Sequence, residues 1–137
     1  MAVTGLGHVN LRAPAASLEQ LRRFYVDIVG LHEGPRPVFS SGSHGHWLYA
    51  GALPVLHLTC APAAPEPTPG KPHARRPGFD HFAFDCSDLA ATRARLDTAG
   101  IEYSVDVVAE LQQVQLFLAD PLGTGVELTF VAPHAIR

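Results

Sequence analysis

The chain has 137 residues, 47% of them apolar, and a formal charge of −3. That is the length of one ordinary domain, with enough apolar side chain for a core that needs no disulfide staples. With no run of like charges it lacks the basic footprint of a nucleic-acid binder and any electrostatic case for membrane attachment, and no apolar stretch is long enough to span a bilayer.

The N-terminal MAVTGLGHVN has no basic segment followed by an apolar one, so no signal peptide is expected and the chain reads as cytoplasmic. Cys60 and Cys86 are expected as reduced thiols rather than a disulfide. GHVNLR alternates like a strand, and a helix follows. Ser17 with Gln20 resembles a capping box, and Leu18, Leu21, Phe24 and Ile28 recur at helical spacing. Gly30 is placed to end that helix in a left-handed conformation. Strand-like runs follow near HWLYA and VLHLT. Between Ala61 and Gly78 the chain is dense in proline, which disfavours helix and central strand alike, so this segment is a joint. Its Lys71, Arg75 and Arg76 read as a solvated cluster.

Beyond the joint the same order recurs. DHFAFD is a strand, Ser87 or Asp88 can cap a helix with Leu89, Leu96 and Ala99 on its apolar side, and Gly100 ends it. Then come YSVDVV, VQLFLA, a turn over Asp120, Pro121, Leu122 and Gly123, and GVELTFV. Each half therefore reads β-α-β-β-β, an internal duplication. The expected fold is α+β, one domain over 1–137 with module one at about 4–60, the joint at 61–78 and module two at 79–132.

Four runs carry the candidate chemistry. In a half-buried strand successive side chains point to opposite faces. Val9 and Leu11 alternate with His8 and Asn10. Leu56 and Leu58 alternate with His57 and Thr59. Phe82 and Phe84 alternate with His81 and Asp85, and Val126, Leu128 and Phe130 with Glu127 and Thr129. Each run has an apolar face for a helix and puts its His or Glu on the other. If the strands curl into one sheet, these polar side chains line its concave side, where a metal ion is a common partner for otherwise unpaired groups. Asn10, Thr59, Gln113 and Gln115 share that side as candidate substrate-orienting groups. Arg36, on a loop after the first helix, could pair with a substrate carboxylate. The His44-Gly45-His46-Trp47 segment either lines the pocket or is a surface turn sending Trp47 into the core.

GLGHVNLRAP, FYVDIVGL, VLHLT, GFDHFAFDCSDL and FLADPLGTGVELTF together resemble the vicinal oxygen chelate superfamily, which includes glyoxalase I, fosfomycin-resistance thiol transferases, an epimerase, extradiol dioxygenases and metal-free bleomycin-resistance proteins. The likeness covers almost the whole chain outside the joint and the last few residues. It implies two βαβββ modules forming a curled mixed sheet with helices on the convex face. It implies His8, His81 and Glu127 as ligands of one divalent metal (Zn, Ni, Co, Fe or Mn). His57 falls where glyoxalase I carries a ligand glutamate, so it is either a fourth ligand or a base beside the metal. The implied activity is a glyoxalase-like lyase or isomerase that stabilises a metal-bound enediolate of a small oxygenated substrate, with Glu127 or His57 moving the proton. Dioxygenase and thiol-transferase chemistry are the alternatives. Phe117 stands against both, since the resembling position there is a tyrosine and phenylalanine has no hydroxyl. A non-catalytic, drug-sequestering dimer is the third reading. The resemblance also implies a homodimer, with modules paired within one chain or exchanged between two.

Overall fold

The computed structural model describes residues 5–39, 42–61 and 81–131. The chain divides into two compact units, Met1–Glu66 and Pro67–Arg137. The Pro-rich joint from residue 62 onward, with Lys71, Arg75 and Arg76, lies outside the described residues.

The first unit runs β1 (Val9–Ala13), α1 (Ala15–Arg23), β2 (His32–Gly34), β3 (Gly45–Ala50) and β4 (Leu53–Cys60). Its sheet has the order β1-β4-β3-β2, with β1 parallel to β4 and the other pairs antiparallel. The second unit runs β5 (His81–Cys86), α2 (Leu89–Thr98), β6 (Ser104–Val108), β7 (Gln113–Ala119) and β8 (Gly125–Val131). Its order is β5-β8-β7-β6, again with the first and last strands parallel. Both units are thus βαβββ modules, and the fold is α+β as expected. The short strand β2 was not among the runs expected from sequence. Its residues, His-Glu-Gly, carry no apolar alternation, and it exists because β3 offers it an edge to pair with.

α1 starts earlier than the Ser17–Gln20 pattern suggests. Pro14, its ring holding φ at −58°, is the N-cap, no side chain caps the helix, and Leu18 N–H donates to the Pro14 carbonyl at 2.8 Å. Ser17 therefore lies inside the first turn, at the third helical position, and does not cap the helix. After Arg23 the helix widens into π turns over Phe24–Val29, and Gly30 ends it at φ 100° with its N–H on the Tyr25 carbonyl. The widening shifts the apolar stripe, so Val29 is buried and Ile28 only half-buried. In α2 the cap is Asp88, whose carboxylate accepts from Ala91 N–H at 3.0 Å, and Gly100 follows the last turn at φ 68°. Thr92 and Leu96 are its buried positions, whereas Ala99 is exposed rather than apolar-facing.

The strand phases come out as the alternation requires. Leu48, Leu56 and Leu58 in the first unit and Leu116 and Leu128 in the second are fully buried. α1 packs over β1, β3 and β4, on this apolar side. Burying each such leucine contributes about 1.5–3 kcal/mol. The turn before β8 is held by Asp120, 5% exposed, whose Oδ1 accepts from Leu122 and Thr124 N–H at 2.8 and 2.9 Å. Cys60 and Cys86 are unpaired and half-buried. Among the described residues, no helix is long and apolar enough to cross a membrane.

Gly45 sits against the β4 backbone, paired with Thr59. A Cβ there would lie 1.9 Å from the Leu58 carbonyl oxygen, a backbone atom of the strand that bears His57. Gly45→Ala should therefore cost about 1–3 kcal/mol in urea unfolding. Gly5→Ala, where a Cβ meets nothing within 4 Å, should stay within about 0.5 kcal/mol.

Candidate functional site

Each unit gathers one pair of the expected ligands. In the first, Asn10 is paired with His57 across β1 and β4, and His8 stands two residues earlier. The His8 and His57 rings stack, centroids 3.9 Å apart and planes within 15°. In the second, Ala83 is paired with Glu127 across β5 and β8, and His81 again stands two residues earlier. His81 Nε2 lies 3.9 Å from Glu127 Oε1. The duplication thus extends to single positions: His8 corresponds to His81, and His57 to Glu127. The neighbouring strand repeats the match, because Trp47 is opposite His57 and Phe117 is opposite Glu127.

These equivalent positions carry different chemistry. His57 lies between two rings. Trp47 lies flat against it, centroids 4.1 Å apart and planes within 7°, on the face away from His8. Burial, then the nearby His8 and Arg36, depresses the His57 pKa, against a ring hydrogen bond to the Pro54 carbonyl. His57 Nε2 is buried with no hydrogen-bond partner. A neutral ring with its proton on Nδ1 leaves a lone pair on Nε2. A neutral imidazole oriented through Nδ1–H to a carbonyl, with Nε2 unspent, is the form in which histidine binds a divalent metal. Glu127 is oriented too. Thr129, 6% exposed, donates to its Oε2 at 2.9 Å, and Oε1 is the oxygen toward His81. Phe117 meets the His81 ring edge-on at 5.8 Å.

The donor set of each pair fits a divalent ion, with one qualification in the first unit. A metal lies in the plane of the imidazole it binds. Two rings stacked face to face at 3.9 Å cannot both aim a lone pair at one ion, so one must turn. His57 is clamped by Trp47, whereas His8 is exposed and precedes β1, so His8 is the ring with room to move. Among the described residues, no three His, Cys, Asp or Glu side chains are gathered about one point.

The other expected residues fall out as follows. Thr59 donates to Asn10 Oδ1 at 2.9 Å, so both share the His57 face. Gln115 donates to Gln113 at 3.2 Å. Arg36 is fixed by Ser43 beside Phe39. His46 does not line the site, because its Nδ1 is 2.5 Å from Glu33 Oε1. Of the two readings of Trp47, lining the site or entering the core, the structure shows the indole stacked on His57 rather than in the core. The signal for it was present in the chain: Trp47 and Leu48 occupy opposite faces of β3, and Leu48 is the apolar one that α1 needs.

A family model described as Glyoxalase/Bleomycin resistance protein/Dioxygenase superfamily matches residues 5–128. No curated protein matches the sequence. Among solved structures, a glyoxalase family protein from Bacillus anthracis is 22% identical with a TM-score of 0.69, covering 95% of this chain and 97% of that one. A lactoylglutathione lyase from Agrobacterium tumefaciens is 20% identical at a TM-score of 0.63, covering 95% and 96%. A genomically encoded fosfomycin resistance protein from Listeria monocytogenes is 16% identical at 0.64, covering 96% and 97%. At these identities the likeness shows the fold.

Trp47 is the one tryptophan of the chain, so its emission reports directly on His57. An imidazolium stacked on indole quenches it. The fluorescence should fall on acidification with a midpoint below the usual histidine value of about 6.5, and His57→Phe should abolish the transition. The sign for stability follows. A depressed folded-state pKa means that stability is full above about pH 6.5 and declines as the pH falls toward the folded value. A midpoint at or above 6.5 would contradict the neutral His57.

Proposed function

The chain belongs to the glyoxalase/bleomycin resistance protein/dioxygenase superfamily, and on that premise we propose that it is a divalent-metal-dependent lyase or isomerase acting on a small oxygenated substrate. His8 and His57 from one module and His81 and Glu127 from the other are the proposed ligands of one Zn, Ni, Co, Fe or Mn ion, in a homodimer. The observation that carries the reading is the buried, unpartnered Nε2 of His57, in the position equivalent to the carboxylate of Glu127. An orphaned buried acceptor costs about 1–3 kcal/mol, a cost that ligation removes.

When bound, such an ion polarises adjacent substrate oxygens and acidifies the C–H beside them. The remaining work falls to the chain. Glu127, its Oε2 held by Thr129, is the base that would take and return the proton on partial release from the ion, with His57 Nε2 as the second candidate if it does not ligate. Asn10 has its oxygen occupied by Thr59, which leaves its N–H₂ for a substrate oxygen. Gln115 and Phe117 line the Glu127 side, being in register beside Thr129 and Glu127. Phe117 has no hydroxyl to donate, which favours a proton-moving reaction over the ring-cleaving or thiol-adding chemistries. The lactoylglutathione lyase among the structural neighbours makes the hemithioacetal of methylglyoxal and glutathione the first substrate to assay.

Titration calorimetry with Ni²⁺, Zn²⁺, Co²⁺, Mn²⁺ and Fe²⁺ tests the site. His57→Ala and Glu127→Ala should each weaken binding by more than about 100-fold, the upper end for losing an outer partner of a ligand, and Thr129→Val by about 10–100-fold. Full metal content in both alanine variants would remove the four-residue assignment. A wild-type protein that gains no affinity for any of these ions would replace the enzyme with a sequestering, non-catalytic protein.

A further inference from the structure

Among the described residues, Arg36 is a held cation without a counter-charge. Its Nη1 donates to the Ser43 carbonyl at 3.0 Å and its Nη2 to Ser43 Oγ at 3.1 Å. The guanidinium carbon lies 4.8 Å over the Phe39 ring. Nε is buried and has no hydrogen-bond partner. Among the described residues, no carboxylate lies within ion-pair distance, although acids pair readily elsewhere in the unit, as Glu19 and Glu33 do with Arg22. A guanidinium has five N–H donors, and Ser43 uses two. Because Ser43 and Phe39 already restrict the side chain, a ligand would cost it little further rotamer freedom.

Its position links it to the site. Phe39 stands 6.4 Å from Trp47, and Trp47 lies on His57. One unit therefore carries a continuous strip of guanidinium, phenyl, indole and imidazole. One uncompensated positive charge calls for one negative charge, and the flat rings beside it call for an unsaturated body.

We propose that Arg36 is the specificity-determining residue of this site and that the substrate is a monoanionic organic acid, its carboxylate bound by the Arg36 guanidinium and its unsaturated body lying along Phe39 and Trp47. This narrows the function proposed above from a small oxygenated molecule to a carboxylate, and it rests on that reading for the reaction but not for the binding.

The test compares 3-phenyllactate with its primary amide, which has the same shape and no charge, by titration calorimetry on the intact protein treated with a chelator and again with Ni²⁺ added. The acid should bind at least about tenfold more tightly than the amide without metal, the usual scale of a hydrogen bond to a charged group. Arg36→Met should erase the preference, Arg36→Lys should keep part of it, and raising the salt should weaken the acid alone. Equal binding of acid and amide, no binding of either, or a preference that survives in Arg36→Met would overturn the proposal. Should Arg36→Met fail to fold, the salt response of the wild type and a reduced preference in Ser43→Ala decide. Loss of metal binding with the Arg36-dependent preference intact would sink the metal enzyme and spare the acid site. Metal binding without the preference would do the reverse.

Discussion

The parallel pairing of the first strand of each unit with the last is what the rest of the structure depends on. β1 lies beside β4 and β5 beside β8, and in both cases the residue two before the paired position is a histidine. Because side chains alternate with period two, a slip of one residue would send His57 or Glu127 to the helix side and bring a leucine to the polar side. The register is defended from both directions. Buried leucines hold the apolar face, while Gly45 and the Asp120 turn set where β3 meets β4 and where β8 begins.

On that shared frame the two modules have diverged in chemistry rather than in geometry. His57 and Glu127 occupy equivalent places, as do Trp47 and Phe117. Yet the first module surrounds its histidine with flat rings, and burial pushes its pKa down, while the second gives its carboxylate a threonine hydroxyl to hold one oxygen. In the proposed site one module would supply an imidazole and the other a carboxylate. A buried imidazole nitrogen left without a partner is a local defect if stability alone is considered, and such defects collect at sites with work to do.

How much of this was legible differs by feature. The faces of β1, β4, β5 and β8 could be read from alternation, because burial on one side of a sheet writes itself directly into composition. The glycine stops at Gly30 and Gly100 and the Asp88 cap were local and equally readable. β2 was not, since three polar or small residues become a strand only through the edge that β3 presents. The Ser17 cap was misplaced because Pro14 starts the helix without one. Trp47 was left open between lining the site and entering the core: its alternation phase was visible, but only its partner across the ladder says what it stacks on.

By itself, then, the sequence determined the duplicated βαβββ plan and the face on which each histidine and carboxylate stands, since both follow from the spacing of apolar residues along single strands. The tertiary structure decided which residues became neighbours: the stacking of His8, His57 and Trp47, the orphaned Nε2, the hold of Thr129 on Glu127 and of Ser43 on Arg36. Apart from the Thr129–Glu127 bond, which lies within β8, those are contacts between segments distant in sequence or displayed by loops, and pairing across strands is a property of the folded sheet that no single strand encodes.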